Sequence, residues 1–189
     1  MRRTLTFGEP LDPIEIRGDR VTLRSWSEID LPAVREAAAN EFLRSMTTLP
    51  SSGTEADHRA FIERQHRRLA SGEGWALAIT EDPSTAAVGH IGIWTGAARK
   101  GQVEFGYWIV PSARRRGLMA DALGAATDWA FANLAAHRAS LFIEPWNEAS
   151  QRTAVAAGYE REAVLRKWQT VGGEPRDMYC YTRLDDGPR

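Results

Sequence analysis

The sequence predicts one α/β domain: a mixed, mostly antiparallel sheet flanked by helices. Three observations predict it. The first is the stretch Val103–Phe131, which alternates like a strand as far as Val110 and then, from Leu118, repeats its apolar residues at helical spacing. The second is the order of segments: a strand, two helices, several antiparallel strands, a strand–helix–strand–helix run and closing strands, without internal repeats. The third is size. At 189 residues with 43% hydrophobic content, the chain has apolar surface for one good core and no surplus for a second.

Residues 1–13, with two prolines and a glycine, read as a loose N-terminal arm. The domain proper spans 14–184, and 185–189 form a C-terminal tail. Arg20–Trp26 alternates as a first strand. Asp30, Leu31 and Pro32 announce a helix, a capping residue followed by proline in the first turn. After a loop at Leu49–Gly53, Thr54 caps a second helix with Asp57 as capping-box partner, and Gly72 lies past its end. Trp75–Thr80 and Ala87–Thr95 read as two strands joined through Asp82 and Pro83. Pro111 stops the strand Val103–Val110 because it has no N–H to donate. Ala139–Ile143 is a short strand ending at Pro145, Asn147 caps a helix through Ala157, and Gly158 terminates it. Tyr159–Leu165, Lys167–Val171 and Met178–Thr182 read as closing strands, with Gly172–Gly173 turning the hairpin between the last two.

Between strand and long helix lies Arg114–Arg115–Arg116–Gly117. A helix start presents unpaired N–H groups and the positive end of a dipole, so three arginines and a glycine beside it form a candidate site for phosphate. A solvated turn is the plain alternative. The turn follows the C-terminal end of a strand, where ligands gather in open α/β sheets. Glycine-to-lysine P-loop spacing is absent, the only lysines being Lys100 and Lys167.

The formal charge of −1, from 24 basic and 25 acidic residues, supplies no global field for nucleic acid or anionic membrane. No apolar run is long enough for a bilayer, and the N-terminus lacks the apolar block of a signal peptide. The single cysteine, Cys180, precludes an internal disulfide and fits a reducing compartment; a cytoplasmic location is expected. His58, His66, His90 and His137 have no metal-ligand spacing, and no metal is expected.

Three segments carry a family resemblance: EFGYWIVPSARRRGLMADAL, NEASQRTAVAAGYE and VLRKWQTVGGEPRDMYCY. In this order they resemble the GCN5-related N-acetyltransferases (GNAT), and within them the RimJ/RimL type that acetylates ribosomal proteins. The resemblance extends from about Ile14 to Leu184. It implies a splayed sheet and acetyl-CoA as the acyl donor. Arg114 and Gly117 match the acetyl-CoA motif, and Met119 stands where the family has a small residue. By the same resemblance, backbone groups around Trp108, Ile109 and Val110 would hold the pantetheine arm, and amides from Arg115 through Arg116, Gly117, Leu118 and Met119 to Ala120 would take the diphosphate. Asn147 and Ser150 match the family's Asn-x-x-Ser segment, with Arg152 within reach of cofactor phosphates. Relatives carry a tyrosine acid at the position of Ala154, so Ser150 is the candidate partner of the leaving thiolate.

Acetyl transfer to an amine requires a free amine, a positioned thioester and stabilisation of an oxyanion and a thiolate. Glu104, a carboxylate in an otherwise apolar strand, is the candidate base or holder of the acceptor's ammonium group; a solvated carboxylate is the alternative. Ser150 as a second helix-cap hydroxyl is likewise the plain alternative to a catalytic role. Trp26, Trp94 and Trp168 are candidates to line the acceptor pocket. The expected activity is acetyl transfer to a primary amine, foremost a protein N-terminal amine, by a monomer or homodimer. Transfer to a small amine is one alternative, and a non-catalytic acyl-CoA-binding sensor is an alternative of another class.

Overall fold

A computed structural model describes residues 9–50, 53–96, 101–185 and 187. The arm residues 1–8, residues 51 and 52 of the expected loop, and tail residues 186, 188 and 189 lie outside the described residues. The strands are β1 (Ile16–Arg17), β2 (Thr22–Arg24), β3 (Gly74–Thr80), β4 (Gly89–Trp94), β5 (Gln102–Ile109), β6 (Arg138–Ile143), β7 (Glu160–Val171) and β8 (Glu174–Leu184). They form one sheet in the order β1-β2-β3-β4-β5-β6-β8-β7. Each neighbouring pair is antiparallel except β5–β6. That parallel pair needs a crossover, which α4 (Leu118–Asn133) supplies.

Helices α1 (Leu31–Ala39), α2 (Glu41–Met46) and α3 (Glu55–Ala70) lie between β2 and β3; α5 (Glu148–Ala156) follows β6. Neighbouring residues on a strand face opposite ways, so two contacts sort the layers. Trp108 packs against Phe61 of α3, whereas Tyr107 reaches Ser150 of α5. All seven residues of β3 are buried, as expected of a strand covered on both faces. Leu118, Ala122, Leu123, Ala126 and Ala130 turn one stripe of α4 into the core. No helix among the described residues is long and apolar enough to cross a membrane.

Several expectations change. The first strand is only Thr22–Arg24, and a two-residue β1 precedes it. Arg20 is drawn out of the strand because the Asp19 and Arg20 N–H groups donate to the Asp121 carboxylate of α4, at 3.0 and 2.8 Å. The end of the expected loose arm is held: Leu11 is buried, its N–H donates to Leu69 C=O at 3.0 Å, and Trp75 Nε1 donates to Asp12 C=O. The Asp30 side chain does not cap α1 but closes a capping box with Ser27 on the preceding 3-10 turn. Fully buried, it takes a two-point ion pair from Arg24 at 2.8 and 2.9 Å and hydrogen bonds from the N–H groups of Ser27 and Ala87. The two strands expected at Tyr159–Leu165 and Lys167–Val171 are one, β7. The register shift between Leu165 and Gln169 is a bulge: Lys167 has φ 50°, and its N–H donates to Asp177 Oδ1 at 2.8 Å.

Candidate active site

The parallel pair β5–β6 runs for only three residues, Gln102–Arg138, Val103–Ala139 and Glu104–Ser140. Beyond Glu104 the strands part. The other edge of β5 remains paired with β4 from Glu104 to Ile109. Val110 N–H donates to Val88 C=O at 3.0 Å, and antiparallel pairing alternates, so Trp108 and Gly106 also spend their backbone groups on β4. Phe105 N–H closes the last bond to β6, on Ser140 C=O, so the Phe105 C=O and the N–H and C=O groups of Tyr107 and Ile109 face the gap. Of the three positions expected to hold a pantetheine arm, Ile109 has free backbone groups; those of Trp108 and the Val110 N–H are already used. An extended, amide-bearing ligand would add to this edge as a strand does.

The gap leads to the basic turn. Pro111–Ala113 makes a single 3-10 turn, held from α1 by Glu36, whose carboxylate accepts from Ser112 N–H and Oγ at 2.8 Å each. Arg115 has φ 63° and Gly117 has φ 76°, a conformation glycine adopts without strain. The Gly117 C=O accepts from Asp121 N–H, so the amides of Leu118, Met119 and Ala120 have no intrahelical acceptor. The three arginines differ. Arg116 is occupied by a two-point ion pair with Glu81, and its C=O accepts from Arg20. The guanidinium groups of Arg114 and Arg115 are exposed and make no ion pair among the described residues. Arg116 thus fixes the turn, while Arg114 and Arg115 are available to an anion. Met119 is 6% exposed, its side chain packed into the core, so its bulk leaves the amide face open.

Across the gap, Asn147 caps α5, its Oδ1 accepting from Ser150 N–H at 3.1 Å. Ser150 caps nothing through its side chain. Its Oγ lies 2.8 Å from Tyr107 Oη, and the Tyr107 hydroxyl also approaches Ser150 C=O at 3.2 Å. Burial pushes the Tyr107 phenol up to about 12. Sequence reasoning placed Tyr107 on the right strand but gave it no role; the only signal was its position three residues from Glu104 on the opposite face. Arg152 lies on the surface, 71% exposed and paired with Glu148 at 3.2 Å.

Glu104 opens on the α3 face, into a cavity of about 370 Å³ lined by Gln102, Arg138, Ser140, Phe142, Trp168 and Cys180, among others. No hydrogen bond or ion pair reaches its carboxylate among the described residues; Arg138 is committed to Glu162. Burial raises the Glu104 pKa above its ordinary value. Burial also raises the Cys180 thiol, with the nearby Glu104 charge acting in the same direction. A carboxyl group with a raised folded-state pKa stabilises the fold below its unfolded value and loses that contribution as pH climbs through the folded value. Glu104→Gln is therefore expected to raise the melting temperature at pH 7 and leave it unchanged below about pH 4, measured by calorimetry across pH.

The three tryptophans separate. Trp168 lines the cavity, 52% exposed at its rim and 5.3 Å from Phe142. Trp94 is opposite Glu104 in the β4–β5 register, and its indole lies over Gly92, where a Cβ would come within 2.1 Å of the ring. The Arg68 guanidinium covers Trp94 at 4.9 Å. Trp26 does not line the cavity; it is 2% exposed, in a core cluster with Phe61, His90 and Trp108. His90 stacks on Trp108, and burial, aided by the Arg68 charge, lowers its pKa to about 3. A neutral buried histidine stabilises above its unfolded value near 6.5 and loses that contribution as pH falls, because the unfolded chain takes the proton first. Removing that proton uptake in His90→Phe is expected to flatten the fall of stability between pH 6.5 and 4, measured by urea unfolding.

A larger groove, about 1750 Å³, runs along α4 from Ala120 to Phe131 and on to Gly158; neither Glu104 nor Ser150 lines it. Chemistry-bearing groups converge instead on the gap between β5 and β6.

A splayed β5–β6 edge opening on a basic helix start suits an extended, amide-bearing ligand that ends in phosphate. The profile of the family described as "Acetyltransferase (GNAT) domain" matches residues 20–160. The chain belongs to that family and is an acetyltransferase. It is 24% identical over 164 residues to the uncharacterized N-acetyltransferase YoaA of Bacillus subtilis strain 168, covering 87% of this chain and 93% of that protein. Its fold matches Mycobacterium smegmatis RimJ in complex with CoA-disulfide, with TM-score 0.77, 21% identity, and 96% and 91% of the two chains covered. It also matches the microcin C7 self-immunity acetyltransferase MccE in complex with acetyl-CoA and AMP, with TM-score 0.74, 20% identity, and 88% and 93% covered.

Proposed function

We propose that the protein transfers the acetyl group of acetyl-CoA to a primary amine, foremost the N-terminal amine of a protein, by direct attack in a ternary complex. The observation that carries this reading is the opposite facing of Glu104 and Tyr107 on either side of the same gap. Odd spacing on a strand puts them on opposite faces. The acceptor enters over Glu104 and Trp168 on the α3 face; the donor lies along Phe105–Ile109, with its thioester toward Ser150 on the α5 face. The amides at 118–120, with Arg114 and Arg115, fit the diphosphate of the donor.

Each part has a physical task. Glu104 accepts the amine proton directly or through water, and its burial makes it a stronger base than an exposed carboxylate. An open-edge amide of β5 is available to the oxyanion, and Ser150 donates to the departing thiolate. The cavity rim at Trp168 is open, which suits a chain end better than an enclosed small molecule. The RimJ/RimL resemblance of the three motifs supports the same acceptor class.

If Ser150 acts as the thioester breaks, Ser150→Ala is expected to lower kcat while leaving acetyl-CoA affinity nearly unchanged. A variant that loses only about 1 kcal/mol of stability and keeps its turnover would assign Ser150 to helix packing alone. The function itself is tested by incubating the enzyme and acetyl-CoA with N-terminal peptides, polyamines, amino sugars and amino acids, followed by mass spectrometry. Acetylation of peptide α-amines is expected. Acetylation confined to the small amines would replace the acceptor class, and no thiol release with any acceptor would favour a sensor.

A further inference from the structure

We propose that Tyr107 supplies, through Ser150, the proton that neutralises the leaving thiolate, so that the two hydroxyls form a relay across the β5–α5 gap. The proposal rests on the reading of Ser150 as the thiolate's hydrogen-bond donor.

Tyr107 Oη and Ser150 Oγ are 2.8 Å apart, within the range of a good O–H···O bond. They come from elements that share no backbone pairing there, one from the free edge of β5 and one from the first turn of α5. Only the side chains span the gap. When Tyr107 donates to Ser150 Oγ, the serine proton is free to point into the gap. When Tyr107 donates instead to Ser150 C=O, at 3.2 Å, the serine proton is drawn back toward the phenol. Tyr107 therefore decides whether Ser150 is a donor to the gap. A phenol could not come from Ala154, which is fully buried on α5 and takes the Tyr159 N–H on its C=O at 3.0 Å.

Acidity explains why a second hydroxyl is needed. An aliphatic alcohol is about as weak an acid as water, whereas a thiol titrates near 8.5. Serine alone is thus a poor proton source for a thiolate. The Tyr107 phenol, pushed to about 12 by burial, is far closer to the thiol, yet holds its proton at any working pH. As the C–S bond breaks and its electron pair passes to sulfur, the Ser150 Oγ proton moves to sulfur. The Tyr107 Oη proton moves to Ser150 Oγ in the same event. The tyrosinate then regains a proton from solvent, balancing the proton that the attacking amine released.

Tyr107 is a positioning residue and acts only through Ser150, which makes the test a double-mutant cycle. Tyr107→Phe and Ser150→Ala are each expected to lower kcat at least about tenfold, with acetyl-CoA affinity unchanged. The double variant should be no slower than the slower single one. With an S-aryl thioacetate, whose leaving thiol is more acidic and needs no proton, the Tyr107→Phe penalty should shrink toward none; a packing defect would persist with either donor. A readout independent of turnover is the 13Cζ resonance of Tyr107, one of four tyrosines, in labelled protein. Adding CoA should shift it in the wild type and not in Ser150→Ala. Losses that multiply in the double variant, or a Tyr107 resonance blind to CoA, would overturn the relay. Full activity in Tyr107→Phe with a slow Ser150→Ala would overturn it while leaving the Ser150 reading in place. Full activity in both would remove the Ser150 reading as well.

Discussion

Glu104→Gln is expected to slow acetyl transfer about 100-fold or more at pH 7, with the loss shrinking as pH rises. An α-amine titrates near 8 and a lysine amine near 10.4, so the acceptor is largely protonated at neutral pH and must lose a proton before attack. Glu104 is the one acidic residue between Val103 and Val110, and its carboxylate faces the cavity with no hydrogen-bond or ion-pair partner among the described residues. Glutamine keeps the shape and removes the base. At higher pH more amine is already free, so the variant should approach the wild type. The raised pKa of Glu104 also sets the acid limb of wild-type kcat/KM above the ordinary carboxylate range. Near-normal rates in the variant below pH 7 would rule out the base. A loss independent of pH and confined to acceptor KM would assign Glu104 to holding the ammonium group.

Gly117→Asp is expected to weaken acetyl-CoA binding at least about tenfold, about 1.4 kcal/mol, in a protein that remains folded. Gly117 has φ 76°, which aspartate tolerates better than most side chains. A Cβ there would meet Arg20 Nη1 at 3.3 Å, so the new carboxylate has a cation beside it and free helix amides ahead of it. It would occupy the anion site from within and repel a diphosphate. Gly117→Ala carries the backbone strain without the charge, and is expected to lose far less affinity. Equal losses in the two variants, measured by titration calorimetry, would attribute the effect to strain. Unchanged affinity in Gly117→Asp would move the diphosphate away from this turn.

Periodicity and punctuation made much of this fold legible. The alternation of Val103–Val110, stopped by Pro111, and the helical repeat after Gly117 gave the central unit almost residue for residue. Thr54, Asn147 and the Gly172–Gly173 turn were readable because capping and hairpin chemistry is local. The misses were non-local. Asp30 looks like a cap until Arg24 of β2 and the Ala87 amide, 57 residues on in the chain, claim its carboxylate. Arg116 looks like its two neighbours until Glu81 claims it. Trp26 resembles Trp168 in composition terms, yet one is in the core and the other at a rim, a difference set by packing between layers. Tyr107 was the largest omission. Its partner lies 43 residues away, and only the parting of β5 from β6 brings them together. The splay itself was expected from family resemblance and not from periodicity, because nothing in the β5 pattern announces where its pairing with β6 ends.

The central claim is that donor binding and acetyl transfer occur in the gap between β5 and β6. Backbone amide hydrogen exchange with and without acetyl-CoA tests it most directly. Exchange should slow at the open-edge amides of Tyr107 and Ile109 and at the helix-start amides of Leu118, Met119 and Ala120, while Trp108 and Val110, already bonded to β4, change little. Protection that leaves those five amides untouched and falls instead along the outer groove of α4, between Gly124 and Ala132, would contradict it.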